Sequence, residues 1–343
     1  MPSAETHDNR RMTGDASSQS NRETPVIAAG SILFVVNPVA GSHSGLDLPM
    51  LIAEACGASQ PYILFIPDSV DELRKKLPLL LQSDSIEKVV IAGGDGTVMD
   101  TVPILISTLT PTDGAEPLAN KLHALSIGLL PLGTGNLLAQ NLHIPIDIKA
   151  ALQVTLTGKR QPIDVGRING HLFVLNAGVG IDAEIMARTE QETKKRWGVF
   201  AYVVEGARQV LSSQRAKVSI LADGKRIRAR AIGVICFNVG SQIGGGLHVV
   251  PNVEPDDGLL HGSIFRIQGA FDFFLGLFQV LIRKRGQRRD PVQHFLAQHI
   301  RIESTPTLKA QADGNVIGET PVTIELLPYK VCFLIPKDRS LKI

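Results

Sequence analysis

The sequence predicts an α/β domain built on a parallel sheet, followed by a domain of antiparallel β-strands. In the first half, apolar runs of strand length alternate with helical patterns, for example "SILFVV" (31–36) and then "LDLPMLIAEAC" (46–56). Strands that are apolar throughout are typical of a parallel sheet covered on both faces. After about residue 158, short β-rich runs dominate. This change of pattern predicts a second domain, and a length of 343 residues also favours two.

The other elements of each domain follow in chain order. In the first domain, three more strands alternate with two helices, and Ser69 is expected to cap the first of these helices. In the second, one helical stretch (190–211) interrupts the β-rich runs, and Asp223-Gly224 predicts a hairpin. The runs of the first domain are "PYILFI" (61–66), "SVDELRKKLPLLL" (69–81), "KVVIA" (88–92), "VMDTVPILIST" (98–108) and "LSIGLLP" (125–131).

These patterns set the expected domain boundaries. A polar N-terminus, residues 1–28, is expected to be disordered because it lacks the apolar residues of a core. The α/β domain is expected over 29–158 and the β domain over 159–330. A C-terminal tail, 331–343, is expected to pack back on the first domain.

Composition excludes several classes of protein. The formal net charge is +2 and aromatic residues are only 5%, so neither a strong field nor a stacking surface for nucleic acid is indicated. The three cysteines are far apart in sequence, which favours a reduced compartment. The N-terminus has no signal-peptide pattern, and the apolar run 269–282 is too short to span a bilayer. We therefore expect a cytoplasmic protein.

The segment "VVIAGGDGTVMD" (89–100) ends a predicted strand in a glycine-rich loop with one carboxylate, Asp95. Ligands of parallel sheets bind beyond the carboxyl ends of the strands. Glycines there let backbone N–H groups approach a phosphate, and a helix starting near Thr97 would add its positive end. A carboxylate beside phosphates then suggests an intervening Mg²⁺. A Gly-Asp turn with a Thr cap explains the same spacing equally well.

Two further loops favour the phosphate interpretation. "VVNPVAGSHSG" (35–45) follows the first strand and "LLPLGTGNLLAQNL" (129–142) follows the fourth. Three glycine-rich loops at one edge of a sheet are hard to explain as turns. Asn37, Thr134 and Asn136 would offer hydrogen bonds to phosphate, ribose or base. The P-loop pattern and the protein-kinase motifs are both absent from the sequence.

In their order and spacing, "NPVAG", "GGDGT" and "PLGTGN" resemble the diacylglycerol kinase catalytic domain. That family includes bacterial soluble lipid kinases, sphingosine kinases and ceramide kinases. The resemblance covers roughly residues 31–336, and its later motifs are "NAGVGIDAEIM" (176–186), "KKRWGVFAY" (194–202), "PDDGLL" (255–260) and "QADG" (311–314). "GGDGT" alone is shared with NAD kinases, so an NAD kinase is the rival enzyme.

The resemblance implies an NAD-kinase-like α/β domain that binds ATP and a β-sandwich domain that binds lipid. It assigns nucleotide binding to the glycine loops. The family places an Asp after the Asn of "GTGN", where this chain has Leu137, so a contact from that acid is not expected. The implied nucleotide-binding residues are Asn37, Gly93, Gly94, Asp95, Gly96, Thr97, Gly133, Thr134 and Asn136.

The resemblance also assigns acids of the second half. Asp182 is expected to face the acceptor hydroxyl, although it also fits as a helix cap. The segment "GVGIDA" (178–183) that contains it matches a dinucleotide-binding pattern but lacks the βαβ context of that fingerprint. In bacterial members the position of Asp257 holds a structural Mg²⁺ with help from the positions of Glu254 and Leu259, although "EPDDGLL" (254–260) alone reads as a tight turn. Oxygen ligands around one carboxylate suit that ion.

The segment "LIRKRGQRRD" (281–290) carries a basic stretch, Arg283 to Arg289, after an apolar run. A solvated loop after an amphipathic helix is the simpler interpretation. A lipid substrate must be reached at a membrane, so we favour a stretch that binds an anionic membrane surface, where each basic residue adds about 1 kcal/mol. Nucleic acid is disfavoured because aromatic residues are not interleaved.

The segment "QADGNVIGET" (311–320) departs from the family. The family sequence is Asp-Gly-Glu, and its Glu is taken as the base; here Asn315 stands in its place, and an amide cannot accept the proton. Asp313 is the favoured base, and Glu319 is the alternative. The third possibility is a catalytically weak protein that binds lipid or nucleotide as a regulator.

Overall fold

The computed structural model describes most of the chain. The chain divides into two compact units. The first unit comprises Met1–Gly133, Pro145–Arg160 and Phe333–Lys342; the second comprises Thr134–Ile144, Gln161–Cys332 and Ile343. The segment Thr134–Ile144, expected in the first domain, thus belongs to the second unit. The described residues are 28–38, 47–110, 121–180, 215–240, 242–243, 247–248, 250, 253–267 and 291–338.

A parallel sheet forms the centre of the first unit, in the strand order β2-β1-β3-β4. Its strands are apolar runs, and in β1 the side chains from Ile32 to Val35 are fully buried. Phe333–Ile335, at the end of the last strand that the structure describes, also belong to this unit. The strand bounds are β1 Ser31–Val36, β2 Tyr62–Phe65, β3 Ile86–Gly93 and β4 Ser126–Pro131.

Helices α1 (Leu48–Cys56), α2 (Val70–Leu80), α3 (Asp95–Leu109) and α5 (Ile148–Thr157) pack on this sheet and on one another. Helix α3 packs on β3 and α2, and α5 packs on β4 and α1. A side-chain oxygen caps three of these helices at their first turn. The predicted cap at Ser69 is confirmed, because its Oγ accepts a hydrogen bond from the Glu72 N–H at 3.2 Å. Asp47 and Asp147 cap α1 and α5 in the same way.

The second unit contains two antiparallel sheets. In the first sheet the order is β9-β8-β15-β18-β5-β6. In the second it is β14-β13-β10-β7-β16-β17. The first sheet consists of β5 Lys159–Ile168, β6 His171–Phe173, β8 Ala216–Ala222, β9 Lys225–Ala231, β15 His299–Thr305 and β18 Val322–Ile335. The second consists of β7 Asn176–Val179, β10 Gly233–Phe237, β13 Leu260–Phe265, β14 Val292–Ala297, β16 Lys309–Ala312 and β17 Asn315–Glu319.

One apolar core joins the two sheets of the second unit. Ile220, Ile302 and Ile324 come from the first sheet, and Val234 and Ile264 from the second, and all five are essentially inaccessible to solvent. Such a core between two sheets is the arrangement of a β-sandwich. A short helix, α4 (Leu137–Asn141), and a small pair, β11 (Gln242–Ile243) and β12 (Leu247–His248), complete the described elements.

The fold class predicted from the sequence is therefore confirmed: an α/β unit with a parallel sheet and a unit of antiparallel sheets. The hairpin predicted at Asp223-Gly224 joins β8 to β9, and both turn residues have the positive φ that a two-residue hairpin favours. Within the described part of the chain, no helix combines the length and apolar character needed to cross a bilayer.

Candidate functional site

The glycine loop of the first unit lies between β3 and α3. Gly94 caps α3 in an extended conformation, and Asp95 is the first residue of the helix. The sequence predicted a helix start near Thr97, and the helix begins two residues earlier, at Asp95. Asp95 lies at the positive end of the helix, which also favours the negative charge of a phosphate.

Packing explains why this loop carries glycine. A Cβ atom on Gly93 would lie 2.4 Å from Thr97 Oγ1, and one on Gly94 would lie 3.1 Å from the Cα atom of Gly133. Gly133 follows β4, so the loops after β3 and β4 touch through two glycines. A side chain at position 93 would collide with Thr97, and one at position 94 would press on the loop after β4.

Hydrogen bonds tie the loop after β1 to the same place. The Asn37 side chain donates from Nδ2 to Thr97 Oγ1 at 2.9 Å, and its backbone N–H donates to the Ala92 carbonyl at 2.9 Å. The Leu132 N–H donates to the Gly93 carbonyl at 2.9 Å. The strand ends after β1, β3 and β4 therefore meet within the first unit, as expected for parallel strands.

A half-buried acid that the sequence interpretation passed over follows this loop. Asp100 lies in the second turn of α3, and burial raises the pKa of its carboxyl group, while the positive charge of Arg74 opposes the shift. A carboxylate with a perturbed pKa beside a glycine-rich loop is typical of functional sites. Its only signal in the sequence was an acid within an otherwise apolar helix.

The "GTGN" segment lies in the second unit. Asn136 is buried, adopts a left-handed conformation and caps α4. Gln140 donates from its side chain to the Gly135 carbonyl, which closes the turn that holds Thr134 and Asn136. Of the remaining predicted positions, Asp182 and the stretch 283–289 lie outside the described residues, as does most of the loop after Asn37.

Asp313 and Gly314 form a two-residue turn between β16 and β17, and both have positive φ. The Asp313 carboxylate accepts three backbone hydrogen bonds, each 2.8 Å long. Val174 donates to Oδ2, and Leu175 and Asn176 donate to Oδ1. The predicted base thus also anchors the segment between β6 and β7, a structural role that the sequence did not reveal.

Two neighbouring side chains support this turn. Gln311 accepts the Gly314 N–H on Oε1 and donates from Nε2 to Asn176 Oδ1, both at 2.8 Å. Asn315, in the family's Glu position, begins β17 and is exposed, and Glu319 ends the same strand and is also exposed. The turn therefore holds Asp313 in a fixed geometry, whereas Asn315 and Glu319 lie on a solvent-accessible strand.

Asp257 lies in the tight turn before β13, and both of its carboxylate oxygens have partners. Oδ1 accepts the Leu259 N–H at 2.9 Å, and Oδ2 lies 2.9 Å from His261 Nε2. Glu254 is exposed. In the described part of the chain, no group of three or more His, Cys, Asp or Glu side chains could hold a metal ion. A metal ion at Asp257 would therefore have to share or displace these contacts, and its assignment stays a prediction.

A positive side chain already lies at this turn. Lys330 Nζ lies 2.9 Å from Asp164 Oδ1 and donates to the Asp256 carbonyl at 2.8 Å. Asp164 is 4% exposed, and its Oδ2 accepts the Gly258 N–H at 2.8 Å. Sequence reasoning missed this pair, although an acid in the apolar run "PIDVGRI" was a signal. The ammonium group neutralises a buried carboxylate and binds a turn carbonyl, as a metal ion would.

Comparison with known proteins identifies the family. A model of the diacylglycerol kinase catalytic domain matches residues 31–168, and a model of the YegS C-terminal NAD kinase beta sandwich-like domain matches residues 176–335. The chain belongs to the diacylglycerol kinase catalytic-domain family. The two matched ranges correspond to the α/β and β-sandwich parts of the fold.

Curated relatives and solved structures are similar to the chain over most of its length. The chain is 27% identical over 255 residues to an uncharacterised protein of Synechocystis, spanning 74% of this chain but only 55% of the relative. It is 29% identical over 257 residues to a Shewanella frigidimarina protein named "Probable lipid kinase YegS-like", spanning 75% of this chain and 79% of the relative. A crystal structure of a diacylglycerol kinase from Bacillus anthracis has a TM-score of 0.65 at 21% identity, and the match covers 90% of this chain and 97% of that one.

Proposed function

We propose that the protein is an ATP-dependent lipid kinase that transfers the γ-phosphoryl group to a hydroxyl group of diacylglycerol or of a sphingoid-type lipid. The observation that carries the proposal is the meeting of three strand ends at the glycine-lined start of α3. Family membership and the names of the relatives support a lipid kinase in general.

The first unit supplies the groups for nucleotide binding in this proposal. Backbone N–H groups of Gly93 to Thr97 contact the phosphates, because glycine allows their close approach. Asn37 holds Thr97 in place through the hydrogen bond from its Nδ2 to Thr97 Oγ1. The second unit contributes nucleotide contacts from Thr134 and Asn136. Mg²⁺, when bound, neutralises charge on the transferring phosphates, and Asp95 is the proposed carboxylate beside it.

The lipid hydroxyl attacks the γ-phosphorus, the bond from phosphorus to the leaving ADP oxygen breaks, and the hydroxyl proton passes to a carboxylate. Asp313 is the proposed acceptor of that proton, and Asp182 the proposed partner of the hydroxyl. Three backbone N–H donors hold the Asp313 carboxylate in one orientation. A loose transition state demands little of its base, so a weak base remains compatible with turnover.

A panel assay tests the proposal. Purified full-length protein is incubated with labelled ATP, Mg²⁺ and mixed micelles containing diacylglycerol, sphingosine or ceramide, with NAD as a separate acceptor. We expect label in at least one lipid and none in NAD. Label in NAD alone would identify an NAD kinase. Absence of turnover with every acceptor, together with activity of Asn315→Glu, would support the regulator instead.

A further inference from the structure

The end strand of one sheet in the second unit carries an unusual number of cations. Strand β9 has the sequence "KRIRARA", and it is the last strand of its sheet among the described residues. Ile227 and Ala229 pack against the core of the sandwich. The alternation of a β-strand therefore directs Arg226, Arg228 and Arg230 away from the core.

The neighbouring strands extend this basic face. On β8, Lys217 lies directly opposite Arg230 and Ser219 lies opposite Arg228. On β15, Thr305 lies opposite Lys217. Like charges directly opposite each other on neighbouring strands destabilise a sheet, so the Lys217–Arg230 pair has a cost that a bound anion would relieve.

These strands line a groove of about 640 Å³. Four cations contribute to its lining, namely Lys217, Arg228, Arg230 and Arg266, against one carboxylate, Glu303. Arg301 already donates to Glu303 at 3.0 Å, so that carboxylate neutralises little of the groove. Within the ranges that the structure describes, Lys217, Arg228 and Arg230 have no ion-pair partner. The groove thus concentrates positive charge on a molecule whose net charge is only +2.

Protection of the sheet edge explains only part of this arrangement. Basic side chains on an end strand discourage pairing with another chain, which accounts for the arginines of β9. Lys217 lies on an inner strand and Arg266 follows β13, and neither blocks an edge. The cations from three elements converge on one groove, which indicates a ligand.

We propose that this basic groove, formed by Lys217, Arg228, Arg230 and Arg266, binds the phosphate groups of an anionic phospholipid surface. Guanidinium groups bind phosphate oxygens in a bidentate manner. The choice of a membrane over free phosphate rests on the proposed function, because a lipid kinase must reach its acceptor at a bilayer. None of these four residues belongs to the stretch 283–289, for which the sequence predicts membrane contact.

The test is equilibrium binding of the full-length protein to vesicles of phosphatidylcholine alone or mixed with phosphatidylglycerol. Arg228→Gln/Arg230→Gln removes two exposed groove cations, and Lys75→Gln/Lys149→Gln removes two exposed cations from helices of the first unit. Each basic residue near an anionic surface adds about fivefold to affinity, so the groove variant should bind mixed vesicles about 30-fold more weakly. The control variant should bind mixed vesicles like wild type. With phosphatidylcholine vesicles alone, binding should be the same for wild type and both variants.

Two further arms identify the source of phosphate. Inorganic phosphate and a short RNA are titrated against wild type and the groove variant, with melting temperature and fluorescence anisotropy as readouts. Equal vesicle binding by wild type and the groove variant would overturn the proposal, and so would a loss confined to inorganic phosphate or to RNA. An equal loss in the groove and control variants would show a net-charge effect and would also overturn it. Because no turnover is measured, these results are independent of the kinase assay.

Discussion

The Gly93–Thr97 loop of the first unit and the Asp313–Gly314 turn of the second both place an aspartate beside glycine. In the loop, a Cβ atom on Gly93 would collide with the Thr97 side chain, and one on Gly94 would press on the Cα atom of Gly133. In the turn, glycine and Asp313 supply the positive φ of a hairpin, and the carboxylate anchors three backbone N–H groups. Asp95 begins a helix at a junction of three strand ends, and Asp313 anchors the segment between β6 and β7.

A second hairpin in the same unit resembles the Asp313–Gly314 turn. Asp223-Gly224 forms a hairpin with the same signs of φ, and the Asp223 carboxylate accepts the N–H groups of Gln298 and His299 at 2.9 and 2.8 Å. No catalytic role is assigned to Asp223. This fold therefore uses a hairpin aspartate to bind backbone N–H groups even where no catalytic role is proposed. Matched substitutions at Asp313 and Asp223 can separate the structural role of Asp313 from its proposed role as base.

The largest difference is expected between Asp313→Asn and Asp223→Asn. Both variants weaken charged hydrogen bonds to backbone N–H groups, so each should lose about 1 to 3 kcal/mol of unfolding free energy. If Asp313 is the base, kcat of its variant should fall by about 10² to 10⁴ as well, while kcat of Asp223→Asn stays at the wild-type value. Chemical denaturation and lipid kinase assays measure the two effects. Equal kcat in the two variants would leave Asp313 with its structural role alone.

Lys330→Met tests the ion pair beside the turn that contains Asp257. Loss of the ammonium group leaves the buried Asp164 carboxylate without its counterion, which should cost about 2 kcal/mol of unfolding free energy. Mg²⁺ should raise the melting temperature of this variant more than that of wild type, because the ion can bind Asp164 and the Asp256 carbonyl. The metal site predicted at Asp257 has its own test. Asp257→Ala should abolish any rise in melting temperature that Mg²⁺ causes in wild type. An identical response in wild type, Lys330→Met and Asp257→Ala would refute both statements.

Asp100→Asn tests the raised pKa of the half-buried acid in α3. The folded state holds the proton of this carboxyl more tightly than the unfolded state, whose pKa is near 3.8. Stability is therefore lost as pH rises from that value through the raised folded pKa, and wild type bears the cost at pH 7. The variant should be more stable than wild type at pH 7, and the difference should vanish below the unfolded pKa. A less stable variant at pH 7 would show that attraction to Arg74 outweighs burial.

The smallest effects are expected at the exposed positions of β17. Glu319→Gln should leave kcat unchanged, because Asp313 is the proposed base and Glu319 lies at the far end of the strand. Asn315→Glu should hold or raise kcat, because it restores the carboxylate of the family pattern. A severe loss of kcat in Glu319→Gln would transfer the role of base to that residue.

The sequence predicted the parts of this fold that depend on periodicity and on sharp local signals. The apolar runs around Ile32 and Ile91 predicted buried parallel strands, and Ser69 and Asp223-Gly224 predicted a cap and a hairpin. It also predicted that the loops after β1, β3 and β4 meet, because parallel strands end at one edge of the sheet.

The rest depended on contacts between residues distant in sequence. The three donors of Asp313 lie 137 to 139 residues away in the chain, and no local pattern predicts them. The pairing of Asp164 with Lys330 and the convergence of Lys217 with Arg266 arise only when strands assemble into sheets. Side-chain roles that depend on such contacts are not visible in a motif.

We propose that Asp95 acts in phosphoryl transfer, and a paired measurement on Asp95→Asn separates this role from a contribution to stability. The kcat for the lipid identified in the panel assay and the melting temperature are determined for wild type and the variant under the same conditions. We expect kcat to fall by about 10³ or more, because charge stabilisation dominates phosphoryl transfer, while little stability is lost. A folded variant with near wild-type kcat would refute this role of Asp95.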